Sequence, residues 1–258
     1  MKKVGFLLVV VSALALASCG TTGNAHLASA TTKALQAFTL SDAQIVDYTK
    51  QFIDESDRTN TVAPANSPYT VRLNNLLKGV DTQGLNFKVY VTKDVNAFAC
   101  ADGSVRVYAG LMDLMTDQEV LGVLGHEIGH YKCKHTKEAF KHALMVSAAR
   151  DAIGASSATI ATLTDSQLGD IGESFLSAKF SRKEETEADN FGYDFLKSNK
   201  VNPWALAMAF EKLESLEQGS GATASSIQKL FASHPDTSDR VKNISARATA
   251  DGYTRPAK

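Results

Sequence analysis

Apolar positions recur at helical spacing along most of this chain and alternate with polar ones in two short places. Between residues 31 and 57, Leu35, Phe38, Ile45, Tyr48 and Phe52 share a helical face, interrupted near "TLSD", where Thr39 or Ser41 can cap a second helix. "TVAPANSPY" (61–69) carries two prolines and reads as a connection, after which "YTVRLNNLLKGV" (69–80) returns to helical period. Strict alternation marks "LNFKVYVT" (85–92) and, after the turn-like Asp102-Gly103 pair, "SVRVYAG" (104–110). These two segments predict a small antiparallel sheet, with "NAFAC" (96–100) extended between them.

The second half is helical. Thr116 followed by Glu119 is a capping box, in which hydroxyl and carboxylate satisfy each other's neighbouring backbone donors, and the pattern it opens runs through Lys141 to about Ile153. Thr164 or Asp165 can cap a further helix, residues 182–198 form another, and one more runs from Pro203 in its first turn to Glu217. "GSGATASS" (219–226) reads as a loop, and a last helix follows His234-Pro235. The expected fold class is α+β, mostly helical, with the small sheet beside the helix that starts at Thr116.

The N-terminus follows a different logic. Lys2 and Lys3 precede an apolar run over residues 4–16, shorter than the roughly 20 residues of a membrane-spanning helix, as in a secretory signal. Its end, Leu16-Ala17-Ser18-Cys19, resembles a bacterial lipobox, so residues 1–18 are expected to be removed and Cys19 to carry the lipid; Thr21, two positions on, is not Asp. In a Gram-negative host that implies an outer-membrane lipoprotein facing the periplasm. Residues 19–30, with His26, read as a tether, 31–250 as one domain and 251–258 as a tail. The apolar stretch 154–180 is too broken by Asp, Ser and Gly to cross a membrane.

Composition narrows this picture without redirecting it. The 258 residues, 44% hydrophobic, suffice for one sizeable core, and a net charge of −1 with no basic stripe argues against a nucleic-acid partner. With Cys19 lipidated, Cys100 and Cys133 remain, and an oxidising compartment permits a disulfide between them; a buried free thiol is the alternative.

The chemistry concentrates in "VLGVLGHEIGHYKCKH" (120–135). His126 and His130 are four residues apart on one helix, so both rings project from one face and can share an ion. Glu127, one step round, is placed to act as general base on a water without becoming a ligand. Gly122, Gly125 and Gly129 each cost about 1 kcal/mol against Ala in a helix, so another element is expected to approach closely behind them. His135 and His142 read as helix surface. A third ligand is available in "SRKEETEAD" (181–189), where Glu185 and Asp189 again share a face, although Glu184 and Glu187 compete on sequence alone.

"HEIGH", "SRKEETEAD" and the late "SHPDTSDR" together resemble metallopeptidase family forty-eight over about residues 40–240, and the lipobox favours its periplasmic lipoprotein members. The resemblance implies a zincin-like fold and one Zn²⁺ per chain held by His126, His130 and Glu185. Asp189 would then hydrogen-bond the outer nitrogen of a ligand His, and Asn96, Ala97, Phe98 and Ala99 would line the substrate cleft. It also implies that His234 or Arg240 steadies the oxyanion, or that His234 takes the metal as a fourth, inhibitory ligand. Proteins or peptides would be the substrates, drawn from misfolded or unassembled envelope proteins, with outer-membrane proteins as possible partners. A quality-control factor that mainly binds such proteins, with latent proteolysis, is the competing reading. A purely structural zinc site is disfavoured, since those usually close all four positions with Cys and His.

Overall fold

A computed structural model describes residues 40–82, 84–149 and 162–257. The expected signal segment, Cys19, the tether with His26, the positions Leu35, Phe38 and Thr39, and Ile153 lie outside these described residues.

Ser41 is the cap of the first described helix, α1 (Asp42–Thr59): its hydroxyl accepts from Gln44 N while the Gln44 side chain reaches back to the cap. α2 (Pro68–Leu76) places Pro68 in its first turn, where a missing N–H costs nothing. Three strands follow, β1 (Asn86–Tyr90), β2 (Ala97–Ala99) and β3 (Ser104–Tyr108), in the order β1-β3-β2. β2 and β3 form the antiparallel hairpin that Asp102-Gly103 announces, but β1 runs parallel to β3. The expected antiparallel sheet is therefore mixed. Alternation reports which face a residue takes and is blind to strand direction, and here β2 pairs with the far side of β3 rather than lying between β1 and β3.

α3 (Ala109–Leu114) leads to α4 (Asp117–Lys132), opened by the reciprocal Thr116–Glu119 capping box. The helical pattern does not continue unbroken: Lys134 adopts φ 67° in the left-handed region, and α5 (His135–Ala149) starts in a new direction. α6 (Asp165–Leu176) is capped by Thr164, α7 (Arg182–Ser198) by Ser181, and α8 (Trp204–Glu217) starts after Pro203. The segment read as a loop at 219–226 turns into α9 (Ala222–Ser233) directly after Gly221, because Ala224, Ile227 and Leu230 supply an apolar face that the run of Ser, Thr and Gly obscures. α10 (Thr237–Ala250) ends the fold. Among the described residues no helix is long and apolar enough to cross a membrane.

One core joins the sheet to α4, α7 and α8; a second lies between α1, α5 and α6. α4 and α7 meet through glycines: a Cβ on Gly125 would lie 3.3 Å from Gly192 Cα, and one on Gly129 would lie 2.9 Å from Ala188 O and 3.0 Å from Ala188 Cα. The close approach expected behind the glycines is this crossing for Gly125 and Gly129, whereas a Cβ on Gly122 would lie 3.1 Å from Leu206 Cα of α8. Gly129→Ala would meet backbone that cannot yield, so it is expected to cost about 1–3 kcal/mol and to move α7 off α4. Thermal unfolding together with zinc titration reads both effects; an unchanged melting temperature and zinc affinity would remove the close approach as the reason for Gly129.

Arg106 on β3 is 1% exposed, and its guanidinium is held by both oxygens of Asp57 at 2.8 and 2.9 Å, to which Lys88 and Tyr90 also donate. Burial pushes the Asp57 carboxyl up, yet these donors together hold it below the usual carboxylate range. A depressed folded pKa stabilises above the unfolded value, near 3.9, and that contribution is lost as pH falls through the folded value. Wild type should therefore lose stability below about pH 4 more steeply than Asp57→Asn, measured by denaturant melts across pH 2–6; parallel curves would count against this pair as an acid-labile contact.

Candidate metal centre

His126 and His130 lie one turn apart on α4, and Glu185 and Asp189 one turn apart on α7; the glycine crossing brings the two faces together. His126 Nδ1 sits 2.9 Å from Asp189 Oδ1. A carboxylate can only accept, so Nδ1 carries the proton and Nε2 keeps its lone pair, pointing at Nε2 of His130 3.1 Å away. Glu185 Oε1 is 3.5 Å from His130 Nε2, and Oε2 is 3.7 Å from His126 Nε2. His234, which caps the end of α9, completes the group: its Nδ1 is 3.0 Å from Glu185 Oε1 and 3.4 Å from His126 Nε2. All four side chains are buried.

This donor set fits zinc. Bonds of about 2.0–2.1 Å in a tetrahedron place ligand atoms roughly 3.4 Å apart; the contacts among His126, His130 and Glu185 run from 3.1 to 3.7 Å, and with His234 the four donors lie within 4.8 Å of one another. Two facing imidazole lone pairs beside a carboxylate repel or waste each other unless a cation joins them. Burial drives the His130 pKa well below the ordinary value, keeping the ring in its neutral, ligating form. For Glu185, burial raises the pKa, but its imidazole neighbours, above all the hydrogen bond and charge of His234, outweigh it and hold the group ionised.

Arg240, on α10, is 5% exposed and lies against Phe210 with its guanidinium 4.4 Å from the ring centroid. Its Nε and NH2 donate to both oxygens of Asp189 at 2.8 and 2.7 Å, and NH1 lies 2.6 Å from Glu185 Oε2. That last contact is an ion pair without hydrogen-bond alignment, and Glu185 Oε2 is a buried oxygen with no hydrogen-bond donor. Arg240 is therefore committed to the ligand carboxylates from behind. The oxyanion role expected as one alternative from the late motif would fall to NH1, which makes no aligned hydrogen bond to either carboxylate.

Glu127 is 4% exposed and shares a cavity with Asn96, Ala97, Phe98 and Ala99 of the sheet edge, with Phe180 and with His234. Burial raises its pKa, against the charges of His234 and His126. Its Oε1 is 4.0 Å from His234 Nε2. A larger groove continues past Asn96 between Tyr108, Leu176 and Leu230.

Two expectations about side chains change here. Cys100 and Cys133 are both free, Cys100 buried at the end of β2 and Cys133 exposed at the cap of α4, so the expected disulfide is not formed. His142 is exposed as expected, but His135 is buried, with its Nδ1 3.1 Å from His130 Nδ1 and its Nε2 3.0 Å from Glu187 Oε2. Phe180, also overlooked, stacks on His130 with centroids 4.0 Å apart. A signal existed for His135, five residues after a ligand His; none existed for Phe180.

A fold of packed helices with a small sheet, and a buried His-His-Glu centre beside a carboxylate at a sheet-edge cleft, define a zinc metallopeptidase. The sequence profile of Peptidase family M48 matches residues 70–248. The chain is 42% identical to the metalloprotease LoiP of Escherichia coli over 255 residues, covering 97% of this chain and 99% of the relative, and 41% identical to the metalloprotease YcaL of the same organism, covering 96% and 98%. It is 31% identical to the mitochondrial metalloendopeptidase OMA1 of Arabidopsis thaliana over 163 residues, 62% of this chain and 31% of that one. The chain belongs to peptidase family M48 and is a zinc-dependent metalloendopeptidase.

Proposed function

We propose that this metallopeptidase is a lipoprotein anchored through Cys19 to the outer membrane of a Gram-negative envelope, where it hydrolyses misfolded or unassembled envelope proteins. The lipobox at residues 16–19 supports the anchor, and the near full-length likeness to LoiP and YcaL supports a shared plan. The observation that carries the site assignment is the convergence of His126, His130 and Glu185 next to β2, which among the described residues is an edge strand.

In this reading His126, His130 and Glu185 hold zinc. When bound, zinc polarises the scissile carbonyl and lowers the pKa of water towards about 7. An extended peptide lies along β2, at the edge of the sheet, and its neighbouring residues enter the groove beside Tyr108 and Leu176. Glu127 takes the proton of the attacking water and passes it to the leaving amine. His234, with Nε2 turned towards Glu127, swings from Glu185 to donate to the oxyanion.

One observation favours the second reading, an envelope factor that binds clients with proteolysis held latent: His234 Nδ1 occupies the fourth corner of the site. The test compares wild type, His234→Ala and Glu127→Gln on an unfolded outer-membrane β-barrel protein, with cell fractionation of Cys19→Ala. Faster cleavage by His234→Ala supports latency and slower cleavage supports oxyanion assistance. Wild-type fractionation of Cys19→Ala would remove the anchor, and failure of wild type to cleave the unfolded barrel while cleaving casein would remove the envelope substrate.

A further inference from the structure

We propose that His135, held by Glu187, is the positioning residue that orients the ring of the metal ligand His130 and fixes its tautomer. α4 ends at Lys132, and the left-handed Lys134 (φ 67°) turns the chain so that His135, first residue of α5, faces back onto His130. A non-glycine residue in that conformation is uncommon, and its consequence here is a contact that an unbroken helix would not make. His135 is 6% exposed, and Phe180 covers it and His130 together, with centroids 6.5 and 4.0 Å away.

The proton bookkeeping follows from the partners. Glu187 Oε2 accepts, so His135 Nε2 donates to it at 3.0 Å. A neutral His135 protonated at Nε2 has a lone pair at Nδ1, which can only accept from the nitrogen 3.1 Å away, His130 Nδ1. His130 is then protonated at Nδ1, and its Nε2 presents a lone pair to the metal position. His126 reaches the same state directly through Asp189. The two ligand rings are thus oriented by different devices, one carboxylate in contact and one relayed through a second imidazole, and α7 supplies both carboxylates together with the ligand Glu185. Outer partners of this kind are typically worth about 10–100-fold in metal affinity.

The inference rests on zinc binding at His126, His130 and Glu185, and it is tested on metal affinity rather than on turnover. Zinc dissociation constants of the full chain in detergent are measured by competition with a chelator for wild type, His135→Leu, His135→Asn and Glu187→Ala. His135→Leu keeps the volume but removes the acceptor and should weaken zinc about 10–100-fold. His135→Asn places an amide oxygen near the lost Nδ1 and should restore most of the affinity. Glu187→Ala, at a side chain 43% exposed and so without risk to folding, should give a smaller loss in the same direction. Should His135→Leu not fold, a loss with Glu187→Ala and near wild-type binding with His135→Asn still support the relay. Wild-type affinity in Glu187→Ala together with a folded His135→Leu that also binds as wild type overturns it, as does an Asn variant as weak as Leu. A wild-type protein that binds no zinc would instead overturn the metal centre itself.

Discussion

Glu127→Gln is expected to bind one equivalent of zinc and to hydrolyse casein at least about 10²–10⁴-fold more slowly than wild type, which corresponds to roughly 3–5 kcal/mol in the barrier. The amide matches the carboxylate in size, so the packing of a side chain that is 5% exposed is kept. What disappears is the ability to accept a proton. Glu127 sits between the ligand helix and the edge strand, inside the cavity where a scissile bond lying along β2 would meet the metal position. Among the described residues no other carboxylate lines that cavity. Metal analysis and a casein assay on the same preparation decide the matter: full zinc with wild-type turnover would mean that the proton is carried by another group.

Arg240→Leu should lower the stability of the zinc-free protein by about 3–5 kcal/mol, because a buried pair broken from one side leaves uncompensated charge behind. Here two carboxylates are left, Asp189 at 6% and Glu185 at 1% exposure. The guanidinium also loses its place against Phe210, which the leucine fills in part. Zinc supplies a replacement cation to Glu185 and, through His126, orients Asp189. The variant should therefore recover much of its stability when zinc is added, in keeping with the general rule that a ligand of the native state alone stabilises it by mass action. Calorimetric melts with zinc and with chelator read the difference, expected to be on the order of 10 °C in the chelated state. A chelated variant that melts within about 2 °C of wild type, or a deficit untouched by zinc, would show that Arg240 does not neutralise the ligand carboxylates.

Much of this centre is legible in the chain because its parts repeat with the helical period. His126 with His130 and Glu185 with Asp189 are both pairs one turn apart, and Thr116 with Glu119 and Ser181 with Glu184 announce where those helices start. Choosing Glu185 over Glu184 and Glu187 needed the family resemblance, because three acidic residues within one turn look alike until something packs against them. Burial then separates their roles: Glu184 serves the cap, Glu185 faces the metal position and Glu187 anchors His135.

Local signals thus determined the starts of α4 and α7, the paired ligands and the glycines that let these helices touch, since each depends on residues within a few positions of one another. The tertiary structure alone decided the parallel pairing of β1 with β3, the separation of Cys100 from Cys133, the burial of His135 and the commitment of Arg240 to carboxylates 51 and 55 positions away in sequence. Those outcomes turn on which surfaces meet and on the bend at Lys134, and a pattern of apolar and polar positions records the face a side chain takes without recording what it will find there.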